Sequence, residues 1–192
     1  LFAAHWTEGY ADMIQKGIGG KVVRFHVLAN SDSEADQTLK LAVRDRVLQE
    51  YGDLLETCTS KEETLAALKN AQQEISETAE AEVLAQGYTY PVRVSLVREE
   101  FPFKKYGDLI FPAGVYDALR IEIGEAKGKN WWCVLYPQMC YVDAAWGYST
   151  EESHVRLQNT LTKEEFLVVS AMEQKKVTPK IKCRLVELWS ER

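Results

Sequence analysis

The residues that could do chemistry fall into two short segments of this 192-residue chain. The first segment runs from a β-rich stretch through a polar turn into a helix, and its polar members are Arg24, His26, Asn30, Ser31, Asp32, Asp36 and Arg44. A helix N-terminus with free amide groups is a natural anion site. His26 beside Asp32 could also serve as a general base with an orienting carboxylate. These seven side chains are therefore candidates for binding a partner.

The same turn could also have a purely structural role. Ser33 followed by Asp36 resembles the capping box that begins many helices, and Ser31 fits a cap better than a nucleophile. Asp32 and Arg44 could form an ion pair that only holds the fold. Because no nucleophile accompanies the histidine, we expect binding or structural roles here and no catalytic residue.

The second segment is Asn130–Tyr141, NWWCVLYPQMCY, in which two cysteines stand symmetrically about the Tyr136–Pro137 bond. If the chain folds back at this bond, Cys133 and Cys140 face each other. Opposed residues of paired strands have Cα atoms about 4.5–5.5 Å apart, which suits a disulfide. Closing so short a loop would stabilise the fold by roughly 2.5 kcal/mol. We predict this disulfide, which indicates a compartment outside the cytoplasm; the alternative is two reduced, buried thiols in a cytosolic protein.

Trp131 and Trp132 are neighbours in the same segment. Adjacent residues of a strand face opposite sides of a sheet, so we predict one ring in the core and the other more exposed. A carbohydrate-binding surface would use an exposed tryptophan in this way, whereas the simpler interpretation is that both rings pack. Both tryptophans are therefore candidates for partner binding as well as for packing.

No residue pattern indicates a metal ion or a cofactor. His5, His26 and His154 lie in separate regions, and no two cysteines have the C-x2-C spacing of structural zinc sites. The common phosphate-binding and dinucleotide-binding glycine motifs are absent as well. The net charge is −6, without a basic stripe, which is unlike a nucleic-acid-binding protein. We therefore expect no metal, no cofactor, no nucleic acid and no direct small-molecule substrate.

The elements that position these residues begin after residues 1–20. That stretch is predicted to be an N-terminal arm, a short helix or a loose segment, with a flexible joint at its glycines. Val22–Ala29 is a strand by its alternation of side chains. Helices follow over residues 34–55 and 61–86, and the second begins with a Ser60–Glu63 capping box. Two long helices joined by a short loop are expected to pack antiparallel.

The second half of the chain is predicted to be rich in strands. The predicted strands cover residues 90–98, 101–111, 115–124 and 131–136, and the last two form a hairpin. A helix is expected over residues 162–175 and an edge strand or tail over 180–189. The predicted fold is α+β, with two long antiparallel helices packed on a mainly antiparallel β-sheet. Residues 21–192 would form a single domain.

Three motifs, in order along the chain, resemble the stage II sporulation protein R family. The run RFHVLANSDSEADQTLKLAVRD, Arg24–Asp45, is similar to the N-terminal signature of that family. The middle motif consists of Pro112-Ala113-Gly114, Tyr116, Ala118-Leu119-Arg120, Ile123-Gly124 and Gly128. The run NWWCVLYPQMC, Asn130–Cys140, resembles the tryptophan–cysteine block of the family. The resemblance covers residues 21–142, which are the motif-bearing part of the domain.

The resemblance implies an intercellular signal. Members of the family are made in the forespore of endospore-forming bacteria and secreted into the intermembrane space between the two cells. There they activate a membrane-embedded aspartic-type protease, which leads to processing of the mother-cell sigma factor E precursor. The family has no known catalytic activity. A signal peptide or anchor could precede Leu1, and no run of about 18 apolar residues suggests a membrane span in this chain.

Two other functions are compatible with the residues. One is a cell-wall-associated glycan-binding module or hydrolase, which would use His26, Asp32 and the tryptophan pair. The other is a structural partner in a larger envelope assembly. The signalling protein is the leading hypothesis because three motifs support it.

Overall fold

The computed structural model describes residues 2–140 and 151–171. In chain order the elements are α1 (Phe2–Lys21), β1 (Val23–Leu28), α2 (Glu34–Glu56), α3 (Lys61–Asn70), α4 (Gln72–Ala85), β2 (Val92–Phe101), β3 (Lys104–Tyr106), β4 (Leu109–Phe111), β5 (Gly114–Ile123), β6 (Asn130–Tyr136), α5 (Glu151–Thr160) and α6 (Lys163–Ala171). Helices and strands are both well represented, so the prediction of an α+β fold is confirmed.

The main sheet has four strands in the order β2-β5-β1-β6. β1 is parallel to β5 and antiparallel to β6, and β2 is antiparallel to β5, so the sheet is mostly antiparallel. β3 and β4 form a separate two-stranded sheet. β1 is an inner strand with neighbours on both sides, which places the polar residues of the first segment in the middle of the fold.

The sheet separates two hydrophobic cores. In the first core, Val23, Phe25 and Val27 of β1 pack with side chains of α2, α3 and α4. In the second core, side chains of α1, α5, α6, β3 and β4 cover the other face of the sheet. Because both faces are buried, β1 is buried along nearly its whole length. The predicted alternation of its side chains is confirmed, but polar Arg24 and His26 lie in a buried layer and not at a surface.

The predicted hairpin of residues 115–124 with 131–136 is wrong. β5 and β6 both pair with β1, which lies between them. The loop that joins them crosses the end of β1, where Gly128 N donates to Ala29 O over 2.9 Å and Lys127 N donates to Asn30 O over 3.2 Å. β1, a strand from early in the chain, thus lies between β5 and β6 and prevents them from pairing with each other.

The helix predicted over residues 61–86 is two helices, α3 and α4, which meet at Ala71. The junction is tied to the sheet edge, since Gln72 Nε2 donates to Val94 O over 3.0 Å. The helix that begins at Glu34 is confirmed, and so are the caps at Ser33 and Ser60, because Asp36 N donates to Ser33 Oγ over 3.1 Å and Glu63 N to Ser60 Oγ over 3.2 Å. The first capping box is not reciprocal, since Ser33 N donates to Ser31 Oγ over 3.1 Å.

The predicted flexible joint near residue 20 is wrong, because α1 is continuous to Lys21. Two of its glycines, Gly17 and Gly19, serve close packing. A Cβ on Gly19 would come within 2.6 Å of Val115 O, and one on Gly17 would overlap the side chain of Glu165. Ile14 and Ile18 on the same helix are buried in the second core.

The C-terminal part was predicted less completely. The helix expected from Thr162 onward is present, with Glu165 N donating to Thr162 Oγ1 over 3.2 Å, but α5 was not predicted. The predicted strand at residues 180–189 lies outside the described residues. Among the helices of residues 2–140 and 151–171, none has the length and apolar character that crossing a membrane would require.

Candidate functional site: the strand-turn-helix segment and the disulfide loop

Arg24 is a fully buried arginine in an aromatic box. Its Nε donates to Cys133 O over 3.2 Å and its Nη2 donates to the Tyr106 hydroxyl over 2.8 Å. Four rings lie 4.9–5.5 Å from the guanidinium carbon, those of Phe101, Tyr106, Phe111 and Tyr116. Such rings attract a cation through their negative faces. Burial nevertheless lowers the pKa of Arg24 from its usual value.

The burial of Arg24 changes its expected role. The side chain has no exposed surface, so it does not contact a partner in this conformation. No carboxylate in the described part of the chain pairs with it, and its Nη1 has no hydrogen-bond acceptor there. The charge is held by two hydrogen bonds and by the rings, which ties the two-stranded β3–β4 sheet to β1.

His26 lies beside Arg24 on the same face of β1. Its ring is stacked on Trp132 with 4.9 Å between centroids and a 13° interplanar angle. Its Nε2 lies 2.7 Å from Oε1 of Glu99. Burial, with the positive charges of Arg120 and Arg24, lowers the pKa of His26 to about 4. The imidazole is therefore neutral at neutral pH.

The carboxylate beside His26 is thus Glu99 and not Asp32. Asp32 Oδ1 instead accepts a hydrogen bond from Lys129 N over 2.7 Å. Glu99 also accepts from Arg120 Nη1 over 3.0 Å, which completes a charged row on this face of the sheet. The predicted pairing of a histidine base with an orienting Asp32 carboxylate does not occur.

Asp36 is the centre of the polar turn. Its Oδ2 accepts from Asn30 Nδ2 over 2.9 Å and from Ser31 Oγ over 2.5 Å. These two hydrogen bonds, that from Ser31 first, hold the pKa of Asp36 below its usual range. Only 4% of the residue is exposed. The turn is therefore a closed hydrogen-bond network, which the sequence interpretation of a capped helix did not include.

The same turn holds the loop between β5 and β6. Asn30 Oδ1 accepts from Glu125 N over 2.9 Å, while Asp32 holds Lys129 N at the other end of the loop. Gly124 has a φ of 60°, in the left-handed region, and a Cβ there would overlap the Asn30 side chain. The middle motif and the first motif of the sequence therefore meet in space.

Arg44 and the two tryptophans occupy the surface of this region. Arg44 Nη2 pairs with Asp45 Oδ1 over 2.6 Å, so the predicted ion pair with Asp32 is wrong. The guanidinium carbon of Arg44 also lies 4.8 Å from the centroid of Trp131. On the opposite face, Lys104 Nζ lies 5.2 Å from the centroid of Trp132. The two rings face opposite sides as predicted, but both are half-buried.

Cys133 and Cys140 form a disulfide with 5.5 Å between their Cα atoms. The predicted pairing is confirmed. Within the loop that it closes, Tyr136 and Pro137 are joined by a cis peptide bond. Cys58 is a free, half-buried thiol, and Cys183 lies outside the described residues.

The disulfide loop, residues 133–140, contacts the helices on both faces of the main sheet. The Tyr136 hydroxyl donates to Thr59 O over 2.7 Å, just before α3. Gln138 Nε2 donates to a carbonyl of α2 over 3.3 Å, and its Oε1 accepts from Arg156 Nη1 of α5 over 3.2 Å. The loop is therefore a structural junction at the outer edge of β6.

Two further features of residues 2–140 and 151–171 concern metal ligands and the contacts that the sequence did not predict. No three His, Cys, Asp or Glu side chains there are grouped to hold a metal ion. Sequence reasoning missed Glu99, Arg120 and the box residue Tyr106. The pairing of β5 beside β1 opposes His26 to Arg120. Glu99 comes from β2, the neighbour of β5, and Tyr106 comes from the separate β3–β4 sheet.

Two comparisons with known proteins point to the same family. A family model described as stage II sporulation protein R matches residues 19–146. The stage II sporulation protein R of Bacillus subtilis (strain 168) is 32% identical over 184 residues, which cover 91% of this chain and 82% of that protein. No solved structure matches this chain.

Proposed function

The chain belongs to the stage II sporulation protein R family, and on this basis we propose that it is an exported signal that activates a membrane-embedded aspartic-type protease. That protease then processes the precursor of the mother-cell sigma factor E. The signal is secreted from the forespore into the intermembrane space. The family is one of sporulation signalling proteins and not of known enzymes.

The observation that carries this proposal is the family match over residues 19–146. The matched region contains β1, the turn built on Asp36, the loop that the turn holds and the disulfide. All three sequence motifs therefore belong to one packed unit. The Cys133–Cys140 disulfide supports an extracytoplasmic location, because disulfides persist in oxidising compartments.

Burial divides the candidate residues of this region into two groups. Arg24 and His26 are buried, so their part in signalling is to hold the sheet. Asn30, Ser31 and Asp36 are used by the turn network. Asp32 is exposed, and Arg44, Trp131 and Trp132 are half-buried. These four residues keep the role of candidate contacts.

The test is deletion of the gene in the organism that encodes this chain, followed by immunoblotting of the sigma factor E precursor during sporulation. We expect the precursor to persist unprocessed while a forespore reporter gene is expressed normally. Restoring the wild-type gene at another locus is the control and should restore processing. Normal processing in the deletion strain would overturn the proposal.

A further inference from the structure

A cleft of about 890 Å³ opens between α1 and the start of β5, beside the Pro112–Gly114 part of the middle motif. Its wall is the stretch of α1 from Ala11 to Lys16, and its floor is formed by Arg98 and Glu100 of β2, Val115 of β5 and the Pro112–Gly114 corner. Its volume lies within the range typical of ligand sites in proteins.

The floor of the cleft is an uncovered end of the sheet face that carries the first core. Alternate residues of a strand share a face, so Val115 lies on the same side as the buried Leu119 and Ile121. At Asp117 the face is still covered, because Lys61 Nζ of α3 lies 2.6 Å from Oδ2 of Asp117. Val115 is 38% exposed, whereas Leu119 and Ile121 are 1% exposed or less. The cover of α2, α3 and α4 ends between these positions.

Two glycines, Gly19 and Gly114, allow the wall of the cleft to lie close to its floor. A Cβ on Gly19 would come within 2.6 Å of Val115 O, and one on Gly114 would overlap the side chain of Gln15. Because both side chains are absent, α1 lies close to the first residues of β5. The cleft is therefore bounded by well-packed elements on both sides.

The charges at the cleft leave one group without a partner. Lys16 Nζ pairs with Asp12 Oδ2 over 2.7 Å, and Arg98 Nη1 pairs with Asp117 Oδ2 over 3.0 Å. Glu100 is exposed, and no cation in the described part of the chain pairs with it. A ligand that suits the cleft would therefore carry a positive charge that pairs with Glu100. It would also carry an adjacent apolar group that covers Val115.

We propose that this cleft binds an extended segment of the receptor protease in which an apolar side chain adjoins a lysine or arginine. The inference rests on the proposed function and adds the contact surface to it. The apolar side chain packs on Val115, Ala11 and Ala113, and the basic side chain pairs with Glu100. Peptide grooves commonly combine an apolar pocket with such a polar anchor.

The first test is site-specific photocrosslinking in sporulating cells. A photoreactive amino acid replaces Ala113 in the cleft or, as the matched control, Arg93, whose side chain is 76% exposed at the far end of β2. We expect position 113 and not position 93 to crosslink to the membrane protease. A crosslink from position 113 to a second copy or to another part of this chain, or no crosslink, overturns the proposal.

The second test separates the cleft from the proposed function by following sigma factor E processing in the same strains. Glu100→Lys should reduce processing about tenfold, as expected for loss of one charge-assisted contact, with Glu100→Gln intermediate and Arg93→Glu unchanged. If the wild type triggers processing and Glu100→Lys does so equally, the cleft assignment alone is overturned. If the wild type does not trigger processing, the proposed function fails, and the cleft assignment fails with it.

Discussion

Replacing Asp36 with alanine tests the polar turn that joins the first two motifs. In the wild type, Asp36 Oδ2 accepts hydrogen bonds from Asn30 Nδ2 and Ser31 Oγ over 2.9 and 2.5 Å. Removal of the carboxylate leaves these two donors without their acceptor. Asn30 also holds the loop after β5 through Glu125 N, so the change weakens the contact between the turn and that loop.

The expected loss in the free energy of unfolding follows from the two hydrogen bonds to Asp36. A hydrogen bond to a charged group contributes about 1.5–3 kcal/mol, and both donors are only half-buried, so water replaces part of the loss. We expect Asp36→Ala to lower the free energy of unfolding by about 3 kcal/mol. Asp45→Ala is the matched control, because its side chain is 64% exposed and holds one surface pair with Arg44; it should cost less than about 1 kcal/mol.

The assay is urea denaturation followed by circular dichroism, with the free energy of unfolding taken by linear extrapolation. The pH dependence of the free energy of unfolding provides a second check, because the direction of the change is known. The pKa of Asp36 is lowered from its ordinary value of 3.8 in the folded state, so the stability from its ionised form is present above 3.8. It is lost as the pH falls through the lower folded pKa.

The wild type should therefore exceed Asp36→Asn in stability at neutral pH, and the difference should shrink in strong acid. Equal losses for Asp36→Ala and Asp45→Ala would show that the Asp36 carboxylate does not stabilise the turn. A difference between the wild type and Asp36→Asn that does not change with pH would show the same.

Three further predictions follow from single features. Replacing Cys133 and Cys140 by serine should lower the free energy of unfolding by roughly 2.5 kcal/mol, and titration of the denatured wild type should find at most two free thiols; four would contradict the disulfide. Gly124→Ala should cost about 1–2 kcal/mol in urea denaturation because of its positive φ, whereas Gly20→Ala, with no atom within 4 Å of the added Cβ, should be neutral or stabilising; equal effects would contradict the close contact. His26 should titrate by NMR with a pKa of about 4, and because its folded pKa lies below the unfolded value of 6.5, stability should fall as the pH drops from 6.5 to 4; a midpoint near neutrality would contradict its burial.

The features that could be predicted from the sequence are those set by neighbouring residues. Ser33 and Ser60 cap helices because the required partner lies three residues later. Cys133 and Cys140 pair because the chain folds back between them. The alternation in β1 followed from the strand itself. In each case the decisive contact lies within a few residues in the sequence.

The features that could not be predicted depend on contacts between distant parts of the chain. Nothing in the local residue pattern indicates that β1 lies between β5 and β6, because the short link between those strands fits a hairpin equally well. That placement buries Arg24 among rings of β2, β3, β4 and β5 and puts Glu99 beside His26. Polar residues are mostly exposed, so the sequence alone predicts surface positions for Arg24 and His26, whereas both are buried.

Whether the protein acts as an exported signal can be tested by an immunoblot for processed sigma factor E in a deletion strain that expresses this chain in the forespore, with or without an export signal fused to its N-terminus. We expect only the exported form to restore processing, with both forms present at equal levels. Restoration by the form without the signal, or by neither form, would show that the protein is not an exported signal.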